Sequence, residues 1–259
     1  MVSIALSTIE MPKEHTSMNI AESMKVVLDD WKIFDKIVAI VSDNASNIKK
    51  AISEFLKKRN QNCVAHTLNL VINDCIKNNE DFNNLIGKCR AIVAHFKRSN
   101  VAAYKLREIQ QQMGLEELKL KQDIATRWNS IYFMLERLDK IKVPLSAALT
   151  SLSNSPDNLS SEEWNEIANC VSLFKPMEQL TSLLSGDKYP TLSSVIPLIR
   201  NVQASTNKKT FTTPLAAAIK HSLLDVLNKR LGILENNKTA ATCSLLDPRF
   251  KKGWFRSRI

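Results

Sequence analysis

KIVAIVSDNASN, residues 36–47, contains the clearest strand in this chain. Its five consecutive apolar residues, Ile37 to Val41, are too few for a buried helix and are typical of a strand covered on both faces. Ser42 and Asp43 follow at the carboxyl end of that strand, and helical spacing resumes at Ile48. Open α/β sheets place their ligands and their chemistry at this edge, so Asp43 is the first candidate for a functional residue.

The residues around this stretch predict an alternation of strands and helices. Val2–Ile9 alternates like a strand with one covered face, and a capping signal at Asn19 begins an apolar helical stripe that ends at Trp31. Gln61–Ala65 is typical of a further short strand, and helical spacing follows it. Residues 1–78 are therefore predicted to form an α/β layer.

From about Asn79 the apolar residues follow a helical period, and no further strand is predicted for a long stretch. One helix is predicted from 82 to 113, with Gly114 as its stop. Another is predicted over 131–141, with Pro144 ending it because proline cannot continue a helix. This change of period marks the end of the α/β layer.

The later helices carry clear start and stop signals. Residues 151–161 are polar and predict a loop, after which Ser160 and Glu163 form a capping box for the next helix. A proline in the first turn and a glycine past the end bracket a helix over 214–231. Residues 79–235 are therefore predicted to be all-α.

Composition narrows the classes of protein to consider. The 259 residues suffice for one large domain or two modest ones, and no apolar run approaches the ~20 residues of a membrane span. The five cysteines are an odd number without a preceding signal peptide, which predicts a reduced, intracellular protein. Lys and Arg outnumber Asp and Glu by 36 to 26, a net charge of +10 that suits nucleic acid or, equally, a solvated basic surface.

Five short motifs follow one another along nearly the whole chain. They are SDNASN at 42–47, CVAH at 63–66, RWNS at 127–130, YPT at 189–191 and LLDPRFKK at 245–252. In this order they resemble the hAT superfamily of DNA transposases and the host proteins domesticated from them, such as the zinc finger BED domain-containing proteins. The resemblance implies an RNase-H-like α/β domain interrupted by a long all-α insertion domain.

On this basis the chain is expected to correspond to the middle of a transposase-derived protein. Residues 1–78 would form part of the RNase-H-like domain, residues 79–235 its all-α insertion, and residues 236–259 the start of the return to the first domain. The BED zinc finger and the C-terminal dimerisation region of such proteins have no counterpart in the sequence.

The resemblance also implies a role for Asp43. In the family, three acidic residues hold two divalent metals, Mg²⁺ or Mn²⁺, that activate water or a DNA 3′-hydroxyl for attack on a phosphodiester. Asp43 matches the second of the three; the first is expected upstream of this chain and the third beyond LLDPRFKK. One carboxylate cannot hold two metals, so catalysis is not expected from the chain alone. Without the resemblance, Asp43 is as well explained as the cap of the following helix.

Arg127 and Trp128 form the second candidate site. A tryptophan can stack on an unpaired base and an adjacent arginine can hold a phosphate, and the matching tryptophan of the transposases is implicated in stabilising a flipped base. The alternative is a large core side chain at the start of a helix, as is also expected of Trp31 and Trp164.

Cys63 and His66 have the spacing of half a zinc site. A closed zinc site needs four ligands, and the sequence offers no second close pair. In the family this pair lies beside the catalytic core, so a buried cysteine and a hydrogen-bonded histidine are the favoured interpretation. The basic and aromatic tail at 249–258 suits either nucleic acid or an unpaired strand.

The sequence therefore predicts a nuclear, DNA-binding, transposase-derived protein that is not a competent enzyme by itself. One alternative is a fragment of an active cut-and-paste DNA transposase, which would use Mg²⁺ or Mn²⁺ in a longer form. Another is a protein-interaction module whose basic surface has no role at DNA. DNA is the expected partner, a homodimer through regions outside this chain stays open, and no membrane association is expected.

Overall fold

The computed structural model describes residues 4–11, 14–124, 127–186 and 192–250. Its first part is a small unit of helices and two short strands. These elements are α1 (Ser17–Asp30), a 3₁₀ turn (Phe34–Lys36), β1 (Ile40–Ser42), α2 (Ser46–Lys50), a π-helical turn (Ala51–Phe55) and β2 (Asn60–Asn62).

The two strands lie parallel, with Ile40 opposite Asn60 and Ser42 opposite Asn62. A parallel pair needs a crossover, and α2 with the π-helical turn provides it.

Both predicted strands have a counterpart, but each is only three residues long. The first begins at Ile40 and not at Ile37, and the second ends at Asn62, because Cys63 caps the next helix, α3 (Val64–Lys77), and residues 64–65 belong to that helix. The prediction that the first is covered on both faces is wrong, since Val38 is 77% and Val41 64% exposed. Burial is uneven along the pair, since Gln61, opposite Val41, is only 3% exposed.

Two further expectations for this unit need correction. Residues 4–9 form no strand and their apolar side chains are exposed. Trp31 is 52% exposed instead of lying in the core, and its Nε1 donates to the carbonyl oxygen of Leu6 at 3.0 Å. The N-cap of α1 is Thr16, whose hydroxyl accepts from the backbone N–H of Asn19, so the helix begins earlier than the sequence signal predicts.

The rest of the described chain is almost entirely helical. Its helices are α3 (Val64–Lys77), α4 (Glu80–Arg98), α5 (Asn100–Gln112), α6 (Trp128–Lys140), α7 (Lys142–Ser151), α8 (Ser161–Leu184), α9 (Leu192–Lys208), α10 (Pro214–Leu231), a 3₁₀ turn (Gly232–Asn236) and α11 (Lys238–Leu246). None of the helices in the described residues is long and apolar enough to cross a membrane.

One continuous apolar core joins α3 to α11. It contains a pair of stacked rings, Phe82 on α4 and Phe174 on α8, with centroids 5.7 Å apart. Trp164, predicted as a core residue, is buried here as well. By contrast, the buried cluster of the first unit consists of three side chains, Ala21, Ala51 and Leu56. Because apolar burial is the main source of stability, the helices from α4 to α11, here called the helical block, are the firmer part of the molecule.

The predicted helix over 82–113 is in fact two helices that break at Ser99. Ser99 has an extended backbone, and its hydroxyl accepts from the N–H of Ala102 at 3.1 Å, which caps α5. The apolar period continues through the break, so the pattern alone does not reveal it. Gly114 adopts φ of +66° after α5, as expected of a helix stop.

Among the remaining predicted helix boundaries, two starts agree with the structure and one end does not. The capping box of Ser160 and Glu163 and the proline start of α10 are both present. Pro144, however, does not end α6: it lies in the first turn of α7, where its missing N–H has no intrahelical partner to lose.

We expect the two regions to differ in hydrogen exchange. Amides of β1 and β2 should exchange with solvent before those in the middle of α4 and α8, because a two-stranded sheet on a three-residue cluster opens more readily than a large core. Mass-spectrometric exchange on the whole chain measures this. Equal protection of 40–42 and of the helical core would contradict the account.

Candidate functional site

Asp43 follows β1 directly and its side chain is exposed. Its Oδ1 accepts from the backbone N–H of Ala45 at 3.1 Å, which closes a turn between the strand and α2. The N-cap of α2 is Ala45, so the alternative interpretation of Asp43 as the helix cap is wrong. Asp43 therefore shapes the turn at the carboxyl end of the strand and presents a carboxylate to solvent.

The ends of the two strands are tied to α3 by polar contacts. Asn44 Nδ2 donates to Thr67 Oγ1 at 3.2 Å, and Thr67 Oγ1 donates to the carbonyl oxygen of Cys63 at 2.9 Å. The N–H of Cys63 in turn donates to the carbonyl oxygen of Ser42 at 2.7 Å. Asn44 and Thr67 thus hold the SDNASN motif against the CVAH motif, the two motifs that surround this edge of the sheet.

The residues at this edge do not fit a bound metal. Across the described residues, no three His, Cys, Asp or Glu side chains lie close enough together to hold an ion. Cys63 is the N-cap residue of α3 and His66 lies in its first turn. Cys63 is half-buried and not buried as expected, and the pair belongs to no group of three possible zinc ligands in the described chain. Asp43 likewise belongs to no such group of three, and we derive no metal-dependent step from this arrangement.

Trp128 begins α6 and is 2% exposed. Its ring lies against that of Phe174 with centroids 6.4 Å apart, and its backbone N–H donates to Asn69 Oδ1 at 3.0 Å. The prediction that this indole stacks on an unpaired base needs correction for this conformation, because the ring faces the core and not solvent. Its Nε1 is buried without a hydrogen-bond partner among the described residues.

Arg127 occupies the N-cap position of α6 and is exposed. Its backbone pairs with that of Ile124, and the hydroxyl of Ser130 donates to its carbonyl oxygen at 2.5 Å. Within the described chain no carboxylate forms an ion pair with its guanidinium. The fold thus places the two residues of the RWNS motif in opposite environments, with Trp128 inside and Arg127 outside.

The LLDPRFKK motif forms a structural turn in its described part. Asp247 ends α11, and hydrogen bonds from Arg249 hold the pKa of this carboxyl below its usual range. Ser244 is buried and donates to the carbonyl oxygen of Ser193 at 2.8 Å, which fastens α11 to α9. The YPT motif and the tail after Phe250 lie outside the described residues.

The core cysteines are unsuited to nucleophilic chemistry. Burial raises the pKa of Cys75 to about 11 and that of Cys89 to about 12. Both thiols are consequently protonated at neutral pH, and only a thiolate is an effective nucleophile or metal ligand. These residues behave as small apolar side chains of the core.

Charge is distributed unevenly along the chain. Residues 1–78 contain ten Lys and Arg against nine Asp and Glu, whereas residues 79–259 contain 26 against 17. Nine of the ten surplus positive charges therefore belong to residues 79–259: five to residues 79–250, which include the helical block, and four to residues 251–259, which lie outside the described residues. A polyanion would be attracted mainly to residues 79–259.

Comparison with known proteins agrees with these motifs. Residues 61–173 match the family described as the ZBED1 RNase-like helical domain. The chain is 29% identical over 215 residues to zinc finger BED domain-containing protein 4 of Homo sapiens, a match over 83% of this chain and 18% of that protein. It is 26% identical over 260 residues to an AC transposase of Zea mays, over 92% of this chain and 31% of that protein.

The chain is a relative of the hAT transposases and of the BED zinc finger proteins. Zinc finger BED domain-containing protein 6 of Homo sapiens is a further relative, 30% identical over 82% of this chain and 22% of its own length. This hAT relative thus spans roughly a fifth to a third of the proteins it matches. The matched family region begins at β2 and ends within α8, so it includes both Arg127 and Trp128.

The burial of Trp128 in this hAT relative leads to a stability prediction. Trp128→Ala should lower the free energy of unfolding by about 3–5 kcal/mol, because it leaves a cavity beside Phe174. Arg127→Ala should change it by less than about 0.5 kcal/mol, since that side chain is exposed. Urea unfolding followed by circular dichroism compares the two. Equal stability of both variants would show that Trp128 is not a core residue.

Proposed function

We propose that this chain is part of a nuclear, transposase-derived protein that binds DNA through its helical block. The observation that carries the proposal is the surplus of five positive charges in residues 79–250, followed by four more in residues 251–259, in a relative of transposases. Arg127, exposed and unpaired in the described chain, is suited to hold a phosphate at this block. Sequence-independent binding of this kind is electrostatic and depends strongly on salt.

We further propose that residues 1–78 correspond to part of an RNase-H-like domain. Two parallel strands joined by a helical crossover, with Asp43 at the carboxyl end of the first, support this assignment. Asp43 would then be the remnant of a metal-binding triad. Since Asp43 belongs to no group of three metal-ligating side chains among the described residues, the chain by itself is proposed to be catalytically silent. An active transposase would need Mg²⁺ or Mn²⁺ ligands from outside this chain.

The DNA-binding proposal is tested by fluorescence anisotropy with a labelled duplex at several salt concentrations. Raising the salt from about 50 to 200 mM should weaken binding steeply, because each neutralised phosphate contributes roughly −0.9 to the slope of log K against log salt. Arg127→Ala should reduce that slope by about 0.9, whereas Lys77→Ala, an exposed lysine on α3, should leave it unchanged.

Two outcomes would reject this proposal. If the folded protein does not bind the duplex at the lowest salt concentration, the alternative of a protein-interaction module is favoured, and the basic surface has no role at DNA. An affinity that does not change with salt concentration would show that the positive charges of the helical block do not bind the DNA.

Catalytic silence is tested separately. The chain incubated with Mn²⁺ or Mg²⁺ and terminal-inverted-repeat DNA should leave that DNA intact, because two-metal chemistry requires ions held about 3.5–4 Å apart by shared ligands. Denaturing gels of end-labelled DNA reveal any nick. Nicking that is lost in Asp43→Ala, with the fold retained, would instead support the active-transposase alternative.

A further inference from the structure

A groove with a cavity volume of about 700 Å³ lies between α5 and the chain segment 117–120. Segment 117–120 is held in place by Gln110, a buried residue of α5. Gln110 Nε2 donates to the carbonyl oxygen of Leu118 at 3.2 Å, and Gln110 Oε1 accepts from the N–H of Leu118 at 3.1 Å. These two hydrogen bonds hold segment 117–120 against α5, because they satisfy both backbone groups of Leu118 as pairing with a β-strand would. The groove is therefore preformed and does not require a ligand to create it.

The groove combines a positive rim with an apolar floor. Three cations line it, Lys97, Arg107 and Lys119, against a single acid, Glu117. Glu117 lies 3.7 Å from Arg107 and accepts from Gln111 at 2.6 Å, so it offsets one of the three charges. The apolar side chains of the lining are Phe96, Ala103, Leu106, Leu118 and Leu120.

The dimensions favour a narrow occupant. The groove follows α5 from Asn100 to Gln110, which is about 15 Å at 1.5 Å per residue. Its volume of about 700 Å³ is the space open to the centres of water molecules, so an occupant extends about 1.4 Å beyond it on every side. With that margin the average cross-section is roughly 90 Å², about that of one α-helix with its side chains at 10–12 Å across. The groove therefore admits one strand or one helix but not a DNA duplex, and its three cations favour a polyanionic strand.

We propose that this groove binds one unpaired strand of DNA. Its phosphates would lie on Lys97, Arg107 and Lys119, and its sugars and bases would contact the apolar floor. The inference rests on the proposed function, since it names the form of DNA that the helical block holds and where. It replaces Trp128, which is buried, as the place where unpaired DNA is recognised.

Two fluorescein-labelled probes test the assignment: a single strand of thymidines and a duplex of the same length. The double variant Lys97→Ala/Lys119→Ala should bind the single strand about tenfold more weakly, through lost phosphate contacts. The matched control Lys36→Ala/Lys77→Ala removes the same charge from exposed positions outside the groove. Its effect on the single strand should be much smaller, and the groove variant should lose more affinity for the single strand than for duplex, because only the single strand enters the groove.

Glu117→Gln separates the electrostatic account from a loss of structure. The substitution removes the only acid of the groove and releases Arg107, while its amide oxygen can still accept from Gln111. It should tighten single-strand binding by about threefold, a direction that partial unfolding cannot produce. Unchanged or weaker binding by this variant would overturn the proposal.

The outcomes distinguish the groove from the proposed function. If the chain binds both probes but Lys97→Ala/Lys119→Ala behaves like its control, the groove assignment is wrong and DNA binding stands. If the unaltered chain binds neither probe, the proposed function fails as well. If a polyglutamate peptide displaces the single strand and loses affinity in the same double variant while duplex binding persists, the groove is a site for extended acidic peptides and not for DNA.

Discussion

The burial of Phe174 between Phe82 and Trp128 fixes the relative positions of three helices, because the rings come from α8, α4 and α6. The centroids lie 5.7 Å and 6.4 Å apart, distances at which aromatic rings pack favourably. The first residue of α6 is thus set by the core, and its neighbour Arg127 is held at the surface. The segment that leads to it is fixed in turn by Gln110 and by Asp123, whose Oδ2 accepts from Arg90 Nε at 2.8 Å.

The two parts of the chain also differ in charge. The helical block provides a scaffold with more positive than negative charges, and functional sites on helices are more precisely placed than sites on loops. The small unit around β1 is nearly neutral and rests on few buried side chains. It presents Asp43 at the carboxyl end of β1, where the carboxylate is exposed to solvent.

Patterns of local origin were predictable from the sequence, whereas those that depend on distant partners were not. The strands near 40 and 60 and the capping box at Ser160 follow from runs and spacings within a few residues. The environment of Trp128 does not, because the same ring suits a base or a core and only the position of Phe174 decides. The groove could not be predicted for a similar reason. Nothing in the sequence around Gln110 indicates that its amide pairs with the backbone of Leu118, because that contact forms only in the folded chain.

The most direct test of the central claim is a map of the DNA contact by NMR of the isotopically labelled chain. An oligonucleotide with a duplex and an unpaired end should shift amides near Lys97, Arg107, Lys119 and Arg127, and raising the salt should reverse these shifts. The amides of 40–42 and 60–62 should stay in place. Shifts confined to the small unit around Asp43, with the helical block unaffected, would contradict the account.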